Sequence, residues 1–176
     1  MAILLVAPPE ELGVALIERL VAQDDEVRVV EDDASAAQRW KKLKAQVAPG
    51  SATDSDLLER AALNVRTVVM FRSRGHDADV LHAVIEAMGL AGVERIIAGT
   101  DEPELITGVL PGDFEHVILI SPYFASRSHL LARALRREPS AERLAEAIDA
   151  ADDLAGHPRL VLDLRDPTAW TLLGLP

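Results

Sequence analysis

The chain has 176 residues, 49% of them hydrophobic and 3% aromatic, and its formal net charge is -11 at pH 7. A chain of this length commonly folds as one domain, and its negative charge repels nucleic acid and anionic membranes. We therefore expect one domain over 1–176 that binds neither nucleic acid nor membrane. The sequence contains no cysteine, which excludes disulfides and thiolate metal sites and suits a reducing cytoplasm.

Apolar strands alternate with amphipathic helices in the first part of the chain. The opening strand is an uninterrupted apolar run that passes through a tight turn into a helix ending near Val21. This alternation is typical of right-handed βαβ units, which build a parallel sheet covered by helices. The predicted strands cover 2–7, 26–30, 46–48, 67–71 and 96–98, and the later helices cover 34–44, 54–63 and 77–90.

The last third of the chain is less regular, because glycine and proline interrupt 100–112 and leave room for a short helix at most. The segment 166–176 is too apolar to float freely, so we expect this tail to dock on the domain or on another subunit. Helix 77–90 has polar residues on only a narrow arc, and its surplus apolar surface predicts a homodimer or another protein partner there and at the tail. Strands are predicted at 116–120 and 160–164, and helices at 126–137 and 140–154.

Three stretches carry a family resemblance: the strand, turn and helix at 2–21, the segment AGVERII at 91–97, and the segment DFEHVILISP at 113–122. Together they resemble the NmrA-like group of atypical short-chain dehydrogenases/reductases, from Ala2 to about Leu164. The resemblance implies an α/β Rossmann-like fold, a doubly wound parallel sheet flanked by helices in one compact NAD(P)-binding-type domain. In this family the first strand is followed by a Gly-x-x-Gly-x-x-Gly turn, and some members are redox sensors without catalytic activity.

The turn after the first strand departs from that pattern. The family's three glycine positions fall on Ala7, Glu10 and Gly13, so only the last is glycine. Glycine permits close approach of the backbone to the pyrophosphate, whereas Pro8 and Pro9 lack the N–H groups that bind an anion at a helix N-terminus. The carboxylate of Glu10 would also repel a dianion. Alternatively, Pro9 merely starts the helix at its first position, where proline is favoured.

Three acidic residues, Glu31-Asp32-Asp33, end the second strand. In a Rossmann site an acidic residue about 20 positions beyond the glycines binds the adenosine ribose and favours NAD. Asp32 falls where many NmrA-like proteins carry an arginine for the extra phosphate of NADP, so the resemblance implies NAD if any cofactor binds. The alternative is a solvated loop that caps the next helix.

The wider family carries out its chemistry with a Tyr-x-x-x-Lys pair, in which the lysine lowers the pKa of the tyrosine for proton exchange. Tyr123 and Arg127 have this spacing with arginine in place of lysine. Tyr123, however, follows the sixth strand, whereas the family's tyrosine follows the fifth. Thr100 lies near the position of the family's catalytic serine. Thr100, Tyr123 and Arg127 are therefore the catalytic candidates, and the incomplete set favours a protein that is not an enzyme.

A compact basic cluster, Arg72-Ser73-Arg74-Gly75-His76, follows the strand 67–71. Open α/β sheets bind ligands at the carboxyl ends of their strands, and the guanidinium groups of Arg72 and Arg74 suit a phosphate or carboxylate. The alternative is an ordinary polar surface loop. The five histidines have no metal-ligand spacing, and we predict no metal site.

Two functions from different classes follow. The favoured hypothesis is a non-catalytic, ligand-sensing, partner-binding or self-associating Rossmann-like protein that needs no cofactor, because the turn has lost the groups that hold a pyrophosphate. The alternative is a divergent NAD-dependent oxidoreductase or epimerase. The candidate cofactor-binding residues are Ala7, Glu10, Gly13, Asp32, Arg72 and Arg74.

Overall fold

A computed structural model of the chain describes residues 2–71, 77–93, 95–101, 103–110, 115–125, 139–154 and 159–176. Its strands are β1 Ala2–Val6, β2 Glu26–Glu31, β3 Gln46–Pro49, β4 Thr67–Phe71, β5 Arg95–Thr100, β6 Glu115–Ile120 and β7 Arg159–Asp163. Its helices are α1 Glu10–Ala22, α2 Ala34–Lys42, α3 Ser55–Ala62, α4 Asp77–Ala91, α5 Pro103–Thr107, α6 Ala141–Asp152 and α7 Pro167–Leu172, with a 3₁₀ turn at Pro122–Ala125.

The strands form one parallel sheet of seven strands in the order β3-β2-β1-β4-β5-β6-β7. The chain starts in the middle of the sheet, moves to one edge through β3 and then crosses back to the other half. Every residue of β1 and of β4 is buried, as expected for strands covered on both faces, and this explains why the opening strand is apolar without alternation. The predicted α/β class, with a Rossmann-like doubly wound sheet, is confirmed.

Helices cover the sheet on both sides. The side that carries α1, α2 and α6, here called the first face, has its own hydrophobic core built around Leu16, Trp40 and Leu144. The side that carries α3, α4 and α5, the second face, has a separate core that includes Leu58 and Met88. No helix in the described part of the chain is long and apolar enough to cross a membrane.

One connection differs from the others in hand. From β1 to β3 the chain steps toward one edge with α1 and α2 on the first face, and from β3 to β6 it steps the other way with α3, α4 and α5 on the second face. Each of these strand–helix–strand connections therefore has the same hand. From β6 to β7 the chain keeps its direction, yet α6 lies on the first face against α1. The last crossover therefore has the opposite hand to the βαβ units predicted from the sequence.

Much of the apolar surface of α4 is covered within the domain. Leu81, Val84 and Met88 are buried, and α4 packs closely against α3 as well as against the sheet. Leu90, near the end of the helix, remains 64% exposed. Helix α3 thus covers part of the apolar surface of α4 that the sheet leaves uncovered. A partner subunit at α4 stays a prediction.

The apolar tail packs on the domain. The indole N–H of Trp170 donates to the carbonyl of Leu164 at 2.9 Å, and the guanidinium of Arg143 lies 4.6 Å from the centre of the Trp170 ring. Ala169 and Leu173 are buried in the core of the first face. We expected the tail to dock on the domain or on another subunit. In the structure it docks on the domain, and a contact with another subunit stays a prediction.

Candidate functional site

The turn between β1 and α1 is built from residues that have few free donors. Ala7 adopts a left-handed backbone with φ of 45°, and its N–H donates to the carbonyl of Val30 at 3.0 Å. Pro9 has no N–H and immediately precedes α1 as its N-cap, without a side-chain capping bond. Its carbonyl accepts the N–H of Gly13 at 2.6 Å, the first bond of the helix. Pro9 therefore lies one position before the helical position predicted for it.

The electrostatics at the start of α1 are unfavourable to an anion. Glu10 and Glu11 both lie in the first turn, where the unbonded backbone N–H groups would otherwise attract negative charge. Arg39 of α2 contacts the Glu10 carboxylate at 3.0 Å, but the Glu10 side chain is 68% exposed, so this pair is weak. Two acidic residues therefore belong to the helical turn whose N–H groups bind a pyrophosphate in other Rossmann proteins.

Gly13 has a packing role. A Cβ built on Gly13 would lie 2.8 Å from Cη2 of Trp40 and 3.1 Å from Cβ of Pro8. Trp40 projects from α2 and is 1% exposed, so the indole ring fills the space beneath the turn. The close approach of Trp40 and Pro8 therefore explains why position 13 is a glycine.

The three acidic residues at the end of β2 have different roles. Glu31 is 9% exposed; one of its oxygens accepts the indole N–H of Trp40 at 3.1 Å and the other accepts the backbone N–H of Asp33 at 3.1 Å. Asp33 caps α2 by accepting the N–H of Ala36 at 2.7 Å, and the Ser35 hydroxyl and this N–H hold its pKa below the usual value. Asp32 is exposed and makes no hydrogen bond within the described residues.

Sequence reasoning missed Glu31 as the buried member of this group. Strand periodicity carried the signal, because Val27, Val29 and Glu31 share one face of β2. Val27 and Val29 both belong to the core of the first face, as does Trp40. The candidate chosen from the sequence, Asp32, is the residue of the three whose carboxylate stays available to a ligand.

An aromatic cluster covers the carboxyl ends of β4 and β5. Phe124, in the 3₁₀ turn after β6, is 4% exposed, and its Cζ would lie 2.6 Å from a Cβ built on Gly99 of β5. The Phe124 ring centre is 6.3 Å from that of Phe71 and 5.8 Å from that of Tyr123. The ring of Phe124 therefore fits against Gly99. Like the contact of Glu31 with Trp40, this contact was not predicted from the sequence.

The catalytic candidates lie at the ends of neighbouring strands. Thr100 is the last residue of β5 and is 0% exposed, and its carbonyl accepts the N–H of Ser121 at 3.0 Å. Tyr123 is half-buried. Arg127 lies outside the described residues, as do Arg72 and Arg74, so the basic loop and the tyrosine–arginine spacing stay predictions. No cluster of three or more histidine or acidic side chains suited to a metal ion occurs within the described ranges.

The donor set at the β1–α1 turn does not fit a pyrophosphate in its usual position. Two of its residues are prolines, the Ala7 N–H is already bonded to β2, and two carboxylates occupy the first turn of α1. The pyrophosphate of a dinucleotide bound there would find few backbone N–H groups to bind it, and the carboxylates of the first turn would repel its negative charge.

The strand order and the helices on both faces define a Rossmann-fold protein of the NAD(P)-binding type. Residues 6–120 match the TrkA-N domain. The match covers more than half of the chain, and the chain belongs to this family. A comparison with curated proteins found no match.

Several solved structures share the fold. ChuY, an anaerobillin reductase from Escherichia coli O157:H7, is 16% identical with a TM-score of 0.70, over 93% of this chain and 96% of that one. An NADPH-dependent quinone oxidoreductase of Escherichia coli, complexed with NADPH, is 18% identical with a TM-score of 0.75, over 92% and 68%. The Citrobacter sp. triphenylmethane reductase complexed with NADP(H) is 16% identical with a TM-score of 0.68, over 93% and 70%. At these identities the likeness shows the fold alone.

Proposed function

We propose that this chain is a non-catalytic Rossmann-fold protein of the cytoplasm that acts by binding a small anionic ligand, a protein partner or a second copy of itself. The observation that carries the proposal is the β1–α1 turn. Its Ala7 N–H is bonded to Val30, prolines occupy positions 8 and 9, and the first turn of α1 carries Glu10 and Glu11. A pyrophosphate at this helix N-terminus would lack its usual donors.

The carboxyl ends of β5 and β6 support the same conclusion. Phe124 packs against Gly99 near the end of β5. Thr100, the next residue, is 0% exposed. A proton donor must reach the substrate directly or through one water molecule. A fully buried hydroxyl has to move before it can do so, which disfavours dehydrogenase chemistry at this position.

The test is a calorimetric titration of the protein with NAD, NADH, NADP and NADPH. We expect no binding at concentrations up to about 1 mM, equivalent to less than about 4 kcal/mol. Binding at micromolar strength to the unaltered chain would contradict the proposal.

A restored turn serves as the positive control. The variant combines Ala7→Gly, Pro8→Ala, Pro9→Ser and Glu10→Gly, which returns two glycines and two backbone donors and removes one carboxylate. We expect this variant to gain affinity for a dinucleotide, since the rest of the Rossmann sheet is in place. Its unfolding in urea is compared with that of the unaltered chain, so that a folding defect is recognised separately.

The anionic ligand has its own test. We propose that Arg72 and Arg74 supply the cations for it, because they follow a central strand at its carboxyl end. Titration with inorganic phosphate and with a small dicarboxylate is compared between the unaltered chain and the Arg72→Ala/Arg74→Ala variant. Loss of binding in the variant supports the assignment, and equal binding contradicts it.

A divergent NAD-dependent oxidoreductase or epimerase is the second candidate function. The observation in its favour is Asp32, which lies just after β2 and is exposed, where a carboxylate can accept from ribose hydroxyls. The fold neighbours whose names describe NADPH-dependent reduction are compatible with it. The test is consumption of NADH with quinone and carbonyl substrates, and the expected signature is loss of that activity in Asp32→Ala.

A further inference from the structure

A groove lies on the outer side of the first face, between helices α1 and α6. Its volume is about 210 Å³, and both helices contribute to its lining. The apolar part of the lining is formed by Val14, Ala15 and Ala145. The acidic part is formed by four glutamates, Glu11, Glu18, Glu142 and Glu146. An apolar surface next to carboxylates suits a long side chain that carries a positive charge at its tip.

Two arginines beside the groove already have acidic partners. Arg19, which belongs to the lining, contacts the buried Asp149 at 2.5 Å. Arg143 contacts Glu146 at 2.8 Å. Neither pair includes Glu18 or Glu142, so both pairs leave these two glutamates uncompensated.

Glu18 and Glu142 are the carboxylates of the groove that are available to a cation. Both are exposed. Glu18 makes no hydrogen bond or ion pair with the residues that the structure describes. Glu142 has a neutral partner, the Ser140 hydroxyl, and this hydrogen bond holds the pKa of Glu142 below its usual value. Both side chains therefore carry a negative charge at neutral pH, one on each wall of the groove.

The lysines of the chain all lie in one short segment. Lys41 and Lys42 end α2, and Lys44 follows two residues later. All three are exposed, and none makes a hydrogen bond or an ion pair in the described part of the chain. Seven arginines, in contrast, form ion pairs with acidic side chains. The end of α2 thus carries unpaired positive charge on a chain whose formal net charge is -11.

The lysines and the groove are complementary in charge and in shape. The carboxyl end of a helix favours basic residues in any case, so the lysines indicate a contact only together with a matching acidic surface. We propose that the end of α2 in one copy of this chain docks in the α1–α6 groove of a second copy. The apolar stems of the lysines then lie on Val14 and Ala15, and their ammonium groups reach Glu18 and Glu142. This proposal rests on the self-association part of the proposed function and supplies its surface.

Both halves of this contact lie on the same side of the molecule, because α1, α2 and α6 all cover the first face. Helix α1 contacts α2 as well as α6 and lies between them. A two-fold axis directed along α1 therefore brings α2 of each copy over the groove of the other copy. The contact is then made twice, and the assembly closes as a dimer.

The net charge limits the strength of this dimer. Two copies that each carry -11 repel each other, but at an ionic strength of about 0.1 M charges more than roughly 10 Å apart are largely screened. Ion pairs formed in the contact are closer than this, although each exposed pair contributes little. We expect reversible association between about 10 and 500 µM, measured by sedimentation equilibrium of the full chain at that ionic strength. A chain that remains monomeric throughout this range overturns the proposal.

Cross-linking identifies the residues in contact. A carbodiimide joins a lysine amine to a nearby carboxylate as an amide, and few products are possible because every lysine lies at 41–44. In a mixture of isotope-labelled and unlabelled chains, products between copies carry both labels. We expect mixed-label peptides that join this segment to Glu18 or Glu142. Their absence, or mixed-label products confined to acidic residues of the second face, overturns the proposal.

Charge reversal tests the same contact through affinity. The lysine variant is Lys41→Glu/Lys42→Glu/Lys44→Glu, and the groove variant is Glu18→Lys/Glu142→Lys. Each places like charges opposite each other in a homodimer and should weaken it at least about tenfold. In a mixture of the two variants opposite charges meet again at both contacts, so association should return. A mixture that associates no more strongly than either variant alone contradicts the docking.

A matched control separates this contact from a general effect of charge. The groove variant makes the net charge less negative, so repulsion between copies falls, yet we expect the dimer to weaken. Glu59→Lys/Glu86→Lys makes the same change on α3 and α4 of the second face and should leave the dimer at least as strong as in the unaltered chain. Equal behaviour of the two variants, or loss of the dimer in the control, contradicts the proposal. Circular dichroism and urea unfolding establish that each variant is folded.

This proposal and the proposed loss of cofactor binding can fail separately. The nicotinamide titrations report on the β1–α1 turn, whereas sedimentation and cross-linking report on the α1–α6 groove. A protein that binds NAD yet dimerises through the groove would contradict only the proposal for the turn. A monomer that binds no NAD would contradict only the docking of α2.

Discussion

The indole ring of Trp40 occupies the space that a Cβ on Gly13 would need, with its Cη2 2.8 Å from that position. The two residues lie on α2 and α1, and the ring is held from its other end by the Glu31 carboxylate at 3.1 Å. The contact joins the β1–α1 turn to the end of β2. The part of the fold that binds a dinucleotide in related folds is here fixed by side chains of the protein itself.

We predict that Gly13→Ala destabilises the protein by about 1 to 3 kcal/mol, because a buried ring has no room to move away from the added methyl. Gly89→Ala in α4 is the matched control. No atom lies within 4 Å of a Cβ built there, and alanine is the better helix former, so this variant should be stabilised by about 0.5 to 1 kcal/mol. Urea unfolding measures both, and equal effects would show that the ring does not constrain Gly13.

Asp152 ties α6 to the amino ends of the strands. It is 4% exposed and accepts from the guanidinium of Arg66 and from the hydroxyl of Thr67 at 2.5 Å. Asp152→Ala should cost about 3 kcal/mol, because it leaves a partly buried cation and a buried hydroxyl without this acceptor. Asp153→Ala, at the exposed next position, should change stability by less than about 0.5 kcal/mol. Comparable losses in the two variants would contradict this role for Asp152.

Lys44 offers a stabilising substitution. It follows the end of α2 with φ of 70°, and its N–H donates to the carbonyl of Lys41 at 3.0 Å, so it closes the helix in the left-handed region that favours glycine. Lys44→Gly should raise stability by about 0.5 to 1 kcal/mol after the entropy of the unfolded chain is included. Gln38→Gly, at an exposed position in the middle of α2, should lower it by a similar amount. Thermal unfolding of the two variants would show opposite shifts, and a lower melting temperature for Lys44→Gly would refute the assignment.

The carboxylate of Asp163 makes a contribution to stability that depends on pH. The guanidinium of Arg165 donates to its carboxylate at 2.8 Å, and this bond holds the pKa of Asp163 below its usual 3.8. Since the pKa is lower in the folded state, the contribution to stability is present above about pH 4 and is lost as the pH falls through the folded value. In Arg165→Ala we expect the pKa of Asp163 to rise toward its usual value, measured by NMR titration of the carboxyl carbon. Arg165→Lys should give an intermediate value, and an unchanged pKa in Arg165→Ala would rule out this cause.

Most of the architecture could be predicted from the sequence, since it depends on local patterns. The apolar run before Pro8, the β-branched strand before Glu31 and the strand 67–71 all follow from composition and period. The end of α2 was predicted two residues too late. The chain leaves the helix near Lys44 because of a backbone conformation that the residue type does not announce.

The candidate site was only partly predictable, because side-chain direction at a strand end depends on what packs there. Asp32 and Glu31 are adjacent acids of similar chemistry, yet one is exposed and the other is buried against Trp40. The fit between Gly99 and Phe124 joins residues from two different strands and is invisible in either segment alone.

The sequence by itself determined the class of fold, the order of the strands along the chain and the absence of N–H groups at Pro8 and Pro9, because these depend on residue type and local spacing. Only the tertiary structure decided the opposite hand of the last crossover, the inward direction of Glu31 and the packing of Phe124 on Gly99. These features arise from contacts between distant segments. The free energy of such contacts depends on which surfaces meet, and no local pattern in the chain specifies that.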